Sequence, residues 1–128
     1  MTLLDTCVLL WLAADPSALS SSAADLLRTG GGGLFVSAIS GFEIGQKAAA
    51  GKLTLARPID HWFPAMLERH GLVEIPINGI VAARATLLPA IHRDPFDRLL
   101  IATAQHHRLT LLTPDPTIGR YPNLMTAW

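Results

Sequence analysis

The chain has 128 residues, a normal length for one compact domain built on one core and too short for two. Half of its residues are hydrophobic and only 16% are charged, which excludes a disordered chain and leaves more apolar surface than one small domain hides, so a partner or a dimer is expected. Ten basic residues balance ten acidic ones, so a nucleic-acid function needs a local cause, such as divalent cations inverting the field of an acidic pocket.

The lone cysteine, Cys7, excludes an internal disulfide. Val8 to Ala14 is apolar and ends in small residues, as the core of a secretion signal does. However, no Lys or Arg precedes Arg28, Asp5 interrupts the stretch, and no run approaches the roughly 20 residues that span a bilayer. The chain reads as soluble and cytoplasmic, without a membrane segment.

Thr2–Asp5 reads as a strand, followed by a helix over Thr6 to Ala13 that Asp15-Pro16 breaks; Ser20–Ser22 caps a second helix running through Arg28. Gly30–Gly33 resembles a phosphate cradle but lacks the Lys-Ser/Thr of a P-loop and leads into a strand, Leu34–Ser37, so it reads as a flexible linker. Helices are expected over Ile39–Gly51 and Ile59–Arg69, then a strand over Leu72–Ile75 and a helix over Gly79–Leu87. The helix Pro95–His107 is apolar on most faces and should be deeply packed, and Leu109–Leu112 and Leu124–Ala127 finish as strands. Short apolar runs alternating with helices predict an α/β fold, a mostly parallel sheet covered on both faces.

In such a sheet the functional crevice lies at the carboxyl ends of the strands. Asp5 closes the first strand and Asp115 follows Leu109–Leu112. Glu43 lies early in the third helix, and Asp94 and Asp97 bracket the start of the last one. Hard oxygen ligands without a Cys/His pattern suit Mg²⁺ or Mn²⁺ rather than Zn²⁺, and the histidines, His61, His70, His92, His106 and His107, have no zinc spacing. Each acid also has an ordinary reading. Ser40-x-x-Glu43 fits a capping box, Glu43 and Lys47 have ion-pair spacing, and Asp94-Pro95 is an N-cap with Asp97 in the first turn, where the helix dipole favours an anion. Asp5 is less easily dismissed, because a carboxylate ending an apolar strand is costly to bury unless something pairs with it.

The segments LLDTCVLLWL, VSAISGFEIGQKAAAGKL, HRDPFDRLLIATA and LLTPDPTIGRYPNLMTAW resemble, in order and spacing, the four blocks of PIN-domain ribonucleases, most closely the VapC-type toxins of toxin–antitoxin pairs. The resemblance covers nearly the whole chain, read as one PIN domain over residues 1–128. It implies a three-layer α/β/α sandwich and Mg²⁺-dependent hydrolysis of RNA, Mn²⁺ being a substitute, with 5′-phosphate and 3′-hydroxyl ends. Asp5, Glu43 and Asp97 match the core catalytic and metal-holding carboxylates and Asp115 the more variable fourth acid. Asp94 either joins the metal site, through a water, or caps the helix. Lys47, Arg93 and Arg98 are the nearest bases for substrate phosphates, Arg98 alternatively forming a salt bridge in the pocket. Thr113, placed on the substrate side, matches a hydroxyl that supports the fourth acid, and Ser40 is a similar support for Glu43. The implied partners are an RNA substrate, a second copy in a homodimer, and a cognate VapB-like antitoxin in a heterotetramer or larger assembly. That antitoxin would cover an apolar groove between early helices and insert a basic side chain among the acids. Trp11 and Phe42 are contact candidates, although core packing is the first expectation for both.

Two departures stand out: Cys7 replaces a common His, and Gly41-Phe42 replaces a bulky apolar-Trp pair. Cys7 also stands where a haloacid-dehalogenase-like phosphatase needs its second Asp, which argues against that class. The remaining alternative is a catalytically silent PIN-like scaffold that only binds a partner.

Overall fold

The computed structural model describes residues 1–30 and 32–128; Gly31, inside the glycine stretch read as a linker, lies outside the described residues. Strands β1 (Thr2–Leu4), β2 (Leu34–Ser37), β3 (Leu72–Ile75), β4 (Thr110–Leu112) and β5 (Met125–Ala127) form one sheet in the order β3-β2-β1-β4-β5, each neighbouring pair parallel. Parallel neighbours need crossovers. Helices α1 (Thr6–Ala14), α2 (Ser21–Thr29), α3 (Ala38–Ala49), α4 (Ile59–His70), α5 (Gly79–Thr86) and α6 (Pro95–His107) supply those leading from β1 to β2, β3 and β4, and the segment holding the 3₁₀ turn Ile118–Arg120 joins β4 to β5. Short 3₁₀ turns at Pro16–Ala18 and Ile118–Arg120 were not foreseen from the sequence.

The middle strand explains the layering. Leu3 and Leu4 are both fully buried yet belong to different cores, since adjacent residues of a strand face opposite sides of a sheet. Leu3 packs with Leu100, Ile101, Leu111 and Ile118, whereas Leu4 packs with Val8, Leu9, Val36 and Ile44. The sheet is therefore covered on both faces, the three-layer α/β/α arrangement expected. Successive strands lead from β1 outward to β2 and β3 on one side and to β4 and β5 on the other, so the order reverses at β1. A crevice opens beyond the carboxyl ends of β1 and β4 at this reversal.

Helix α3 begins at Ala38, capped by the Ser37 hydroxyl, which accepts from the Ile39 N–H at 3.2 Å. This corrects the capping-box reading of Ser40 and Glu43, because Ser40 already lies inside the helix. Its hydroxyl instead hydrogen-bonds that of Thr6 at 2.9 Å, both buried, tying α3 to α1. A Cβ on Gly45 would come within 3.2 Å of Ile59, so this glycine permits the close approach of α3 and α4. At the other end of α3, Gly51 adopts a left-handed backbone (φ +72°) and closes a Schellman motif, its N–H donating to Ala48 at 3.1 Å and that of Lys52 to Lys47 at 2.9 Å. The chain thereby folds Lys52 back over Lys47.

Candidate active site

Asp5 follows β1 at the N-terminal boundary of α1, and its side chain is 7% exposed. The Thr113 hydroxyl, at the corresponding end of β4, donates to Asp5 Oδ2 at 2.6 Å and accepts from the Asp115 N–H at 3.2 Å. One buried hydroxyl thus positions two acids, which is where the structure places the support expected of Thr113. Burial raises the Asp5 carboxyl above its ordinary range, and the charges of Glu43 and Asp115 raise it further. The bonds from Thr113 and the Thr6 N–H only partly oppose them.

Glu43 is buried because it shares the inward face of α3 with Ser40 and Ile44. Its Oε2 lies 3.3 Å from the Lys47 ammonium, the ion pair expected one turn later, while Oε1 is buried without a hydrogen-bond partner. Asp97, in the first turn of α6, ionises only at about 7. Burial is the main cause, followed by the charges of Asp5 and Asp94, with His92 opposing and Glu43 adding to the rise.

His92 went unrecognised in the sequence, yet it joins the last two acids. Its Nε2 lies 2.9 Å from Asp97 Oδ2 and 3.1 Å from Asp115 Oδ2. The other ring nitrogen faces the Asp94 N–H at 3.3 Å and must accept, so Nε2 carries the proton and donates to the carboxylates. In this tautomer His92 clamps the two acids, and its Nε2 with the Asp97 and Asp115 carboxylates forms a group, all within 4.8 Å, that could hold a metal ion once that proton is displaced. The ring is anchored through its backbone, whose N–H donates to the Tyr121 hydroxyl at 2.7 Å. For Asp115, burial pushes its carboxyl upward, but the Thr117 N–H and His92 outweigh burial and hold it below the usual carboxylate range.

Two expected site residues act elsewhere. Asp94 resolves toward the cap: its Oδ1 accepts the Phe96 N–H at 2.9 Å, and it reaches the other acids only as a nearby charge. Arg98 forms no salt bridge among the described residues. Its guanidinium donates to the carbonyls of Ala85, Leu88, Pro89 and His92, all at 2.9–3.2 Å, fastening the end of α5 and the loop that carries His92. Successive helical residues diverge by about 100°, so Arg98 turns away from the pocket that Asp97 faces. Arg93 is exposed. Cys7 lies close enough to feel the Asp5 charge, and burial, with that charge second, pushes its thiol up to about 12, so it carries no thiolate.

Asp5, Glu43, Asp97 and Asp115 thus converge at one crevice from β1, α3, α6 and the loop after β4. Such crowding of partly desolvated carboxylates, one oxygen orphaned, is relieved by protonation or by a bound cation. The carboxylate oxygens are hard donors, which fits Mg²⁺ or Mn²⁺, and His92 Nε2 lies among them.

The PIN-domain model matches residues 2–124. This chain belongs to the PIN-domain family. It is 36% identical over 129 aligned positions to "Ribonuclease VapC22" of Mycobacterium tuberculosis, covering 98% of this chain and 97% of that protein. Among solved structures, the PIN fold recurs in VapBC2 of Rickettsia felis bound to a promoter DNA fragment (TM-score 0.74, 17% identity, 98% and 96% of the two chains). It recurs also in a toxin–antitoxin complex from Klebsiella pneumoniae (TM-score 0.65, 22% identity, 100% and 98%). At these identities the two structures establish the PIN fold alone. No helix among the described residues of this PIN-domain chain is long and apolar enough to cross a membrane.

Proposed function

We propose that this PIN-domain protein, one domain over residues 1–128, is a divalent-cation-dependent endoribonuclease and the toxin of a toxin–antitoxin pair, acting in the cytoplasm. The observation that carries the reading is the buried, unpartnered Glu43 Oε1 beside Asp5 and Asp97, which burial and then the charges of neighbouring acids raise. Asp5, Glu43 and Asp97 would hold Mg²⁺ or Mn²⁺, with Asp115 as the fourth acid. When bound, such an ion acidifies the attacking water and offsets the charge growing on the leaving oxygen of the phosphodiester. The side chains do the positioning. Thr113 orients Asp5 and the Asp115 loop, His92 holds Asp97 and Asp115 together, and the Thr6–Ser40 bond braces the helix bearing Glu43. Lys47 meets Glu43 and offers its half-exposed ammonium to substrate phosphate. No Ser–His–Asp or Cys–His pair is required, and the protonated Cys7 supplies no nucleophile.

The partner reading rests on composition and on a groove of 500 Å³ between α1, the segment after α3, and α4, lined by Leu10, Trp11, Leu53, Leu55, Trp62 and Met66. An amphipathic antitoxin helix fits such a surface, and a homodimer or heterotetramer would cover the exposed Ile80 and Leu87. Trp11 is partly buried and packs on Trp128 (5.7 Å between rings), whereas Phe42 is 59% exposed, against the core placement first expected for it.

The test is incubation of partner-free protein with tRNA, rRNA and single-stranded RNA in Mg²⁺ or EDTA, beside Asp5→Asn. Cuts that need Mg²⁺ and vanish in the variant support the nuclease. No cleavage by folded, Mg²⁺-supplied protein favours a silent scaffold.

A further inference from the structure

Glu43 also lines a groove of 410 Å³, within the usual range of small-ligand pockets, about 300–1,000 Å³. Its lining joins unlike chemistries: the carboxylates of Glu43 and Asp94, the lysines Lys47 and Lys52, Gln46 and the Phe96 ring. The two lysines meet because the left-handed turn at Gly51 returns Lys52 to the last turn of α3. Phe96 is backed by Phe42, their rings 5.8 Å apart and tilted by 46°. Phe42 immediately precedes Glu43 and Phe96 immediately precedes Asp97, so each aromatic is fixed by the same helix as an acid of the site. Phe42 is 59% exposed, so its ring stands open to solvent where it meets Phe96.

We propose that this groove seats one unpaired nucleotide of the RNA strand adjoining the cleaved bond, Lys47 and Lys52 taking its phosphate, the Phe42–Phe96 pair its base, and Gln46 the base edge. The inference rests on the nuclease reading and extends it from the cleaved bond to the strand around it. Charge decides the occupant. The lysines draw an anion and the ring pair a flat apolar group, and a nucleic-acid strand offers both, a phosphate and a base face, at each step. A base in a duplex is stacked on its neighbours and cannot lie on a side chain, so the groove selects single-stranded segments, loops and bulges.

The experiment is fluorescence anisotropy of the full chain with a labelled mixed-sequence single-stranded RNA of about 12 nucleotides and with its duplex, in EDTA so that no cleavage intervenes. Lys52→Ala and Phe42→Ala are each expected to weaken single-strand binding about five- to tenfold. Lys52→Ala should lower the slope of log affinity against log salt by about 0.7, and Phe42→Ala should leave it unchanged. Phe42→Trp should restore affinity, Phe42→Leu should not, and duplex binding should ignore Phe42. Both positions are exposed, so folding survives the changes. Wild-type single-strand affinity in Phe42→Leu, or equal losses on single strand and duplex, overturns the proposal. Asp5→Asn separates the two readings, because it should cleave nothing yet bind RNA in EDTA at least as well as wild type. If it is inactive while the groove variants bind normally, the groove assignment fails and the nuclease stands; if it still cleaves, the site reading fails instead.

Discussion

Thr113 donates its hydroxyl proton to Asp5 at 2.6 Å, joining the ends of two neighbouring parallel strands inside a pocket neither strand could form alone. Thr113→Val keeps the shape and removes the donor. The Asp5 carboxyl should rise further, because this bond is what lowers it. Unfolding in urea should show a loss of about 1–3 kcal/mol near neutral pH, and cleavage should fall about 10- to 100-fold, as for other residues that orient metal-holding groups.

Asp97 gives the metal-free protein a pH dependence of definite sign. Its carboxyl ionises at about 7 when folded and at 3.8 when free, so between these values the folded chain binds the extra proton. Stability from this group is therefore full at low pH and is lost as pH rises toward 7. At pH 8 and in EDTA, Asp97→Asn should be more stable than wild type by about 1–3 kcal/mol, a gap that closes near pH 4. Mg²⁺ should reverse the order at pH 8, raising the melting temperature of wild type and not of the variant. Thermal melts at the two pH values, with and without Mg²⁺, check both statements.

Removing the His92 ring should free Asp97 and Asp115 from each other without deleting either acid. His92→Ala is expected to weaken Mn²⁺ binding about 10- to 100-fold and to lower cleavage to a similar degree. Manganese paramagnetic resonance offers a sharper check: a histidine nitrogen coupling that is lost in His92→Ala makes the imidazole a ligand, and no such coupling in wild type makes it a clamp on the acids alone.

Arg98 is expected to matter for stability and not for RNA. Arg98→Met leaves carbonyls of the segment from Ala85 to His92 without their donor and should cost about 2–4 kcal/mol in urea unfolding. The salt slope of RNA binding by the folded variant should match that of wild type, whereas a phosphate-binding arginine would reduce it.

The strands, the helices and the acids were legible because each left a local mark: short apolar runs, Pro95 after Asp94, acids at strand ends. What stayed hidden depended on atoms brought together from afar. His92 has no spacing to detect, since its partners lie in a helix and in a loop 23 positions away. Arg98 is next to Asp97 in sequence, but the carbonyls that hold its guanidinium come from a segment whose path spacing does not reveal. Ser40 matched a capping box by its letters, but Ser37 had already started the helix, and only the packing of α1 on α3 shows Thr6 to be its partner. The glycine stretch ends α2 and enters β2 through left-handed turns at Gly30, Gly32 and Gly33, which composition alone could not separate from a loose linker.

The central place of β1 bears on how this protein is made. Its first strand needs β2 on one side and β4 on the other, and β4 lies far downstream of β1. Until Thr113 has emerged from the ribosome, Asp5 lacks the hydroxyl that orients it, a contact spanning 108 positions. A nascent chain that stops short of Thr113 therefore carries Asp5, Glu43 and Asp97 without this support and without Asp115, and long-range closure, not local folding, completes the pocket.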